Sequence, residues 1–243
     1  LNTAYLTEKL RSKILKTIQQ VVFEKETTRQ QAVHPGNIQK DTKWRKTIMY
    51  PTRQEAEALL ADAARCNPGP WEAHSRVTAW CAEKIAQVCP GMDAEKAWVL
   101  GLLHDIGRKF GVKHLGHVYD GWRYMMQSGY DEAARICLTH SFNEGKLESY
   151  IGKFDITEEE TKALRQALSQ TSFDDYDRLI QLCDSIAGAE GVVNIEDRMN
   201  DVKRRYGRFP QSKWDKNLEL KAFFEQMAGE DIYNVVGGIG AGI

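Results

Sequence analysis

Residues 99–106 read Val99-Leu100-Gly101-Leu102-Leu103-His104-Asp105-Ile106. An apolar run without a polar face predicts a helix buried on all sides, yet it ends in an imidazole and a carboxylate side by side. Neither group enters a core without a partner, because an ionised side chain in a low-dielectric interior must be paired, coordinated or neutralised. A metal ion would satisfy both at once. The dipeptide alone says little: 6 His and 15 Asp in 243 residues give about 0.4 His-Asp pairs by chance. The rest of the chain has to supply the context.

With 42% hydrophobic and 28% charged residues, the composition is that of a soluble globular protein with a sizeable core. Charge is uneven. Residues 1–49 hold ten Lys/Arg against four Asp/Glu, which leaves 23 basic and 30 acidic residues in the remainder. A mildly acidic body argues against a nucleic-acid groove there, while leaving room for a local phosphate site. The five cysteines, Cys66, Cys81, Cys89, Cys137 and Cys183, include no Cys-x-x-Cys pair and are expected to be reduced core residues of a cytoplasmic protein. Glu8, Lys9, Arg11, Lys13 and Lys16 interrupt the stretch where a signal peptide would need apolar residues, and no 18-residue apolar run occurs. No membrane span is expected.

Leu6, Leu10, Ile14, Ile18 and Val21 recur at intervals of three and four, predicting a basic helix with a narrow apolar stripe that packs on the body or pairs two copies into a homodimer. Residues 24–50 read as a linker, so residues 1–50 form a separable extension and the domain proper spans 51–243. From Pro51 on, one helix follows another. Arg53–Cys66 is stopped by Asn67-Pro68-Gly69-Pro70, and Trp71–Val88 places His74, Val77, Cys81, Ile85 and Val88 on one face. Ala94–Ile106 then delivers His104 and Asp105 at its C-terminal end, with Gly107 allowing the turn. A basic loop, 108–114, contains Arg108, Lys109 and a solvated His114. His117 opens a helix over 115–128, and His140 closes one over 131–139. Thr157 and Glu160 make a capping box. A helix from Asp174/Asp175 to about Ala187 carries Asp184 on its apolar side, and helices over 195–206 and 213–228 end at Gly207 and Gly229. The glycine-rich end, 237–243, reads as a frayed tail, since no helix follows to aim backbone N–H groups at an anion. The fold class expected is all-α.

His74, His104, Asp105 and Asp184 are thus four helix-borne groups that all face the interior, and a mixed imidazole and carboxylate set suits a divalent ion such as Mn, Fe, Zn or Mg. The order His, then His-Asp, then Asp on successive helices, with Leu-Leu-His-Asp-Ile-Gly at 102–107, resembles the HD-domain superfamily of metal-dependent phosphohydrolases over roughly residues 51–190. The resemblance implies one ion on His74, His104, Asp105 and Asp184, and a second on His117 and His140, with Asp105 bridging; Co and Ni join the candidate metals. It also implies hydrolysis of a small phosphorylated substrate such as a nucleotide, with Asp105 organising the site and Arg108 or Lys109 neutralising the phosphate. The basic pair Arg108-Lys109 stands where the family's guanosine-polyphosphate hydrolases carry an acidic pair, and His140-Ser141 replaces the paired histidines of its cyclic-dinucleotide members. Both subfamilies are therefore disfavoured. Two other readings remain at this stage: a di-iron oxygenase on the same ligands, and a non-catalytic ligand-sensing module.

Overall fold

The computed structural model describes residues 49–242, and the expected N-terminal helix and linker, with the homodimer contact assigned to them, lie outside the described residues. The order is α1 (Arg53–Cys66), α2 (Trp71–Val88), α3 (Ala94–Leu103), a 3-10 turn (Ile106–Phe110), α4 (Leu115–Ser128), α5 (Asp131–Thr139), a 3-10 turn (Leu147–Ser149), α6 (Glu158–Gln170), α7 (Asp175–Ile186), α8 (Ile195–Tyr206), α9 (Gln211–Ala228) and α10 (Ile232–Val235). There is no strand among the described residues, only the isolated bridge Ala187–Val192, and the chain is all-α. Among these residues no helix is long and apolar enough to cross a membrane.

Helix α3 is the hub, packed by α1, α2, α5 and α7. Val99, Leu100, Leu102 and Leu103 are each 0% exposed, and each such side chain contributes about 1.5–3 kcal/mol of burial. That is the reservoir against which two polar groups can be carried inside. Gly101 lets α2 approach, because a Cβ there would lie 2.8 Å from Ala79 Cα. A second cluster, including Leu115, Val118, Phe142 and Leu164, seats α4 and α5 on α6 and its connector.

The local signals read from sequence recur. Thr52–Glu55 and Thr157–Glu160 both form capping boxes, and Gly129, Gly207 and Gly229 close α4, α8 and α9 in the left-handed conformation. Four expectations need correction. Helix α3 ends at Leu103, so His104 is its C-cap and Asp105 precedes a 3-10 turn. Gly107 serves close approach and not a left-handed turn, since a Cβ there would lie 1.9 Å from the His117 carbonyl oxygen and 2.5 Å from Gly121 N. The glycine-rich end is docked: Val192 N donates to Ala241 O at 2.7 Å, and Gly240 N donates to Val192 O at 2.8 Å. Of the cysteines, all free, Cys66 is exposed while the other four are buried.

Candidate metal centre

Five helices converge on Asp105. His74 comes from the first turn of α2, His104 from the end of α3, His117 from the first turn of α4, His140 from the end of α5 and Asp184 from the last turn of α7. The donor atoms of His74, His104 and Asp105 all lie within 4.8 Å of one another, and so do those of Asp105, His117 and His140. Asp105 belongs to both groups. Asp184 Oδ1 adjoins the first, 3.0 Å from His74 Nε2 and 3.9 Å from His104 Nε2. Asp105 Oδ1 faces the second, 3.1 Å from His117 Nε2 and 3.5 Å from His140 Nε2.

Every one of the four imidazoles has its Nδ1 against a backbone carbonyl. His74 faces Ala187 O at 3.2 Å, His104 faces Gly101 O at 2.7 Å, His140 faces Cys137 O at 3.0 Å, and His117 faces His114 O in a close contact. A carbonyl only accepts, so Nδ1 must carry the proton and donate it. In the neutral ring the Nε2 lone pair is then what points inward, as a metal ligand needs. Lone pair faces lone pair as a result: His117 Nε2 and His140 Nε2 are 3.2 Å apart. His104 Nε2 and Asp105 Oδ1 are buried without a hydrogen-bond partner, although orphaned polar atoms of this kind are rare. A cation between them would satisfy all of these atoms. The spacings suit one, because ligands about 2.1 Å from an ion stand about 3.0–3.4 Å apart in octahedral or tetrahedral geometry.

Charge agrees with geometry. Burial pushes the His104 and His140 pKa values down, His140 to about 3, so both rings are neutral at pH 7. Burial pushes the Asp105 carboxyl up, but Arg108, His117 and His104 overcome it and hold it well below the usual carboxylate range. The same opposition, won by His74 with help from His104 and His140, holds Asp184 down. Two ionised carboxylates beside the neutral rings of His104 and His140 suit a divalent ion.

Above this cluster is a cavity of about 400 Å³. Arg108 borders it, and its Nε donates to Asp105 Oδ2 at 2.5 Å. Lys109 does not reach it; its ammonium meets Asp62 Oδ2 on α1 at 2.7 Å and the ring of Tyr124 on α4. Lys109 is thereby corrected from a phosphate contact to a brace between α1 and α4. His114 lies outside as expected, its N–H donating to Asp155. Sequence reasoning missed the far wall, where α8 contributes Arg198, Met199, Val202, Arg205 and Tyr206 and α9 contributes Lys213 and Asn217. A signal was there: the α8 residues repeat at i, i+1, i+4, i+7 and i+8, one helical stripe in which two arginines interrupt apolar positions. Burial pushes Lys213 down to about 8.

The model of the HD-domain family matches residues 71–189. The chain belongs to the HD-domain superfamily. The match opens at the first residue of α2 and closes just after α7, so this HD domain contains every residue of the His/Asp cluster, while α8 and α9 lie beyond it. No curated protein and no solved structure matches the chain.

Proposed function

We propose that this HD-domain protein is a metal-dependent phosphohydrolase acting on a small organic phosphate such as a nucleotide. The observation that carries the proposal is the pair of three-residue clusters sharing Asp105, with Nδ1 of each imidazole turned to a carbonyl. His74, His104, Asp105 and Asp184 would hold one divalent ion, and His117 and His140 a second, with Asp105 between them. The candidate ions are Mn, Fe, Mg, Zn, Co and Ni. Bound there, a divalent ion brings the pKa of a water to near neutral and offsets charge on a phosphoryl oxygen.

The chain's own residues do the rest. The backbone carbonyls at 101, 114, 137 and 187 fix the imidazole tautomers and leave no rotamer freedom to lose on binding. Arg108 holds Asp105 in one orientation and adds a guanidinium to the cavity edge, where it would neutralise a phosphoryl oxygen. The far wall supports an anionic substrate over dioxygen: Arg108, Arg198, Arg205 and Lys213 outnumber Asp105 and Asp184 around the cavity. A di-iron oxygenase would use the same ligands and would have no need of that cationic wall.

The test is a panel of phosphomonoesters and phosphodiesters assayed with each metal, in air and without oxygen. Oxygen-independent hydrolysis that a chelator abolishes is expected. Turnover only with iron and oxygen would assign the oxygenase instead, and ligand binding without turnover under any metal would assign a sensor.

A further inference from the structure

We propose that Lys213 and Arg198 form a second anion position in the cavity, which takes the outer phosphoryl group of a substrate that carries two. The reading of the His/Asp cluster as the site of phosphate hydrolysis decides only which phosphate reacts; the anion position rests on its own observations.

Four cations line the cavity, and they are not equivalent. Arg108 is paired with Asp105 at 2.5 Å and Arg205 with Asp201 at 2.8 Å. Lys213 and Arg198 form no ion pair among the described residues. The Lys213 ammonium donates to the carbonyl of Ser141, the residue after His140, at 2.8 Å. That contact leaves two of its three N–H donors open, and it sets the charge beside the His117/His140 end of the cluster. The position is braced: Asn143 Nδ2 donates both to the carbonyl of Lys213 at 3.2 Å and to Asn217 Oδ1 at 2.6 Å, fixing the first turns of α9 to the connector after α5. Asn143 Oδ1 is left buried without a partner. Lys213 is withdrawn from water with no ion-paired carboxylate, Asp184 and Glu144 acting on it only from a distance, and it lines the same cavity as Arg198, where an anion would supply a closer counter-charge.

Two sets of cations point to the ligand class. Arg108 is held beside Asp105, where the reacting phosphate would sit, and the unpaired cations come from other elements lining the same cavity, α8 and α9, beyond the stretch that matches the family. A substrate with two phosphoryl groups would engage both sets. Tyr206 and Phe209 add apolar surface to the same wall, suited to an organic moiety attached to the two phosphates.

The test is calorimetric binding of methylenediphosphonate and of methylphosphonate, neither of which is hydrolysed, to the full chain with its metal. Wild type should bind the diphosphonate about tenfold or more tightly than the monophosphonate, the scale of one charge-assisted hydrogen bond. Lys213→Met and Arg198→Met should each remove that preference with metal content unchanged, Lys213→Arg should keep most of it, and Lys203→Met, exposed on the same helix as Arg198, should keep all of it. If Lys213→Met fails to fold by circular dichroism, Lys213→Gln takes its place. No preference in wild type, or a preference that survives both Met variants, overturns the anion position. A preference lost as expected in a protein that hydrolyses no phosphate ester upholds the anion position and refutes the phosphohydrolase; hydrolysis with an unaffected preference does the reverse.

Discussion

Arg108 and Asp105 are joined through one carboxylate oxygen while the other is turned to the histidines: Arg108 Nε donates to Oδ2 at 2.5 Å, and Oδ1 stands 3.1 Å from His117 Nε2 and 3.5 Å from His140 Nε2. The guanidinium therefore has two tasks, orienting Asp105 with Nε and meeting a phosphoryl oxygen with its remaining N–H groups. Arg108→Lys keeps the charge but cannot do both, because an ammonium has no planar fork. A charge-assisted hydrogen bond is worth about 1.5–3 kcal/mol, so kcat/KM on the best phosphate ester should fall about ten- to a hundredfold with metal content unchanged. Lys109→Arg, on a residue engaged with Asp62 and Tyr124, should behave like wild type. An Arg108→Lys enzyme within twofold of wild type would remove Arg108 from phosphate binding.

Asp105 is shared by both groups of donors, whereas His140 adjoins only one. Metal content by elemental analysis should therefore drop at both positions in Asp105→Ala and at one in His140→Ala. Activity should be abolished in Asp105→Ala, and a chelator titration should still find a tight ion in His140→Ala. Equal stoichiometry in wild type and Asp105→Ala would refute the bridge.

Much of this was legible beforehand because helix signals are local. Capping boxes at Thr52 and Thr157 and glycines after α4, α8 and α9 act within a turn or two, so sequence spacing reports them directly. Helical periodicity put His74 and Asp184 among apolar neighbours that must be buried, and the apolar run before His104-Asp105 carried that pair inside; that the four meet at one place was what the resemblance to the HD-domain superfamily implied. What escaped was tertiary. Nothing near Lys109 announces Asp62, which lies 47 residues earlier and comes close only because α1 packs on the turn that carries Lys109. Lys213 reads as one more lysine in a polar helix until α9 is laid over Ser141. The tail looked free because its partner, Val192, is a loop residue with no periodicity of its own.

Gly107 gives the sharpest stability prediction. An added methyl would meet backbone at 1.9 and 2.5 Å, whereas at Gly101 the nearest atom is Ala79 Cα at 2.8 Å. Backbone cannot rotate away as a side chain can, so α4 must shift as a body. Overpacking costs about 1–3 kcal/mol in ordinary cores, and Gly107→Ala should exceed that, with Tm lowered by roughly 10 °C for a chain of this size. Gly101→Ala should lose less. Because α4 carries His117, Gly107→Ala should also weaken the His117/His140 metal position before the other, as seen by metal titration. A Gly107→Ala protein with the Tm of wild type would mean that α4 is not held against this turn.

Asp155 fixes the start of that same helix from across the chain. Its Oδ2 accepts from His114 N at 2.6 Å and its Oδ1 from Gly116 N at 2.8 Å, and the His114 carbonyl in turn holds Nδ1 of His117. Burial pushes this carboxyl up, but the two backbone N–H donors outweigh it and hold its pKa below the ordinary 3.8. A carboxylate with a depressed folded pKa contributes stability that is present above the unfolded value and is lost as pH falls through the folded one. Asn retains only one acceptor oxygen and no charge. Asp155→Asn should therefore be less stable than wild type by about 0.5–1 kcal/mol at pH 7, the scale of an exposed N-terminal cap. The gap should be the same at pH 5, narrow as pH falls below about 3.8, the ordinary carboxyl value of the unfolded chain, and close below the depressed folded value, where both side chains are neutral. Urea unfolding of the two proteins at pH 7, 5 and 3 measures it. A gap that persists unchanged at pH 3 would mean that Asp155 acts through shape alone and that its charge plays no part in seating His117.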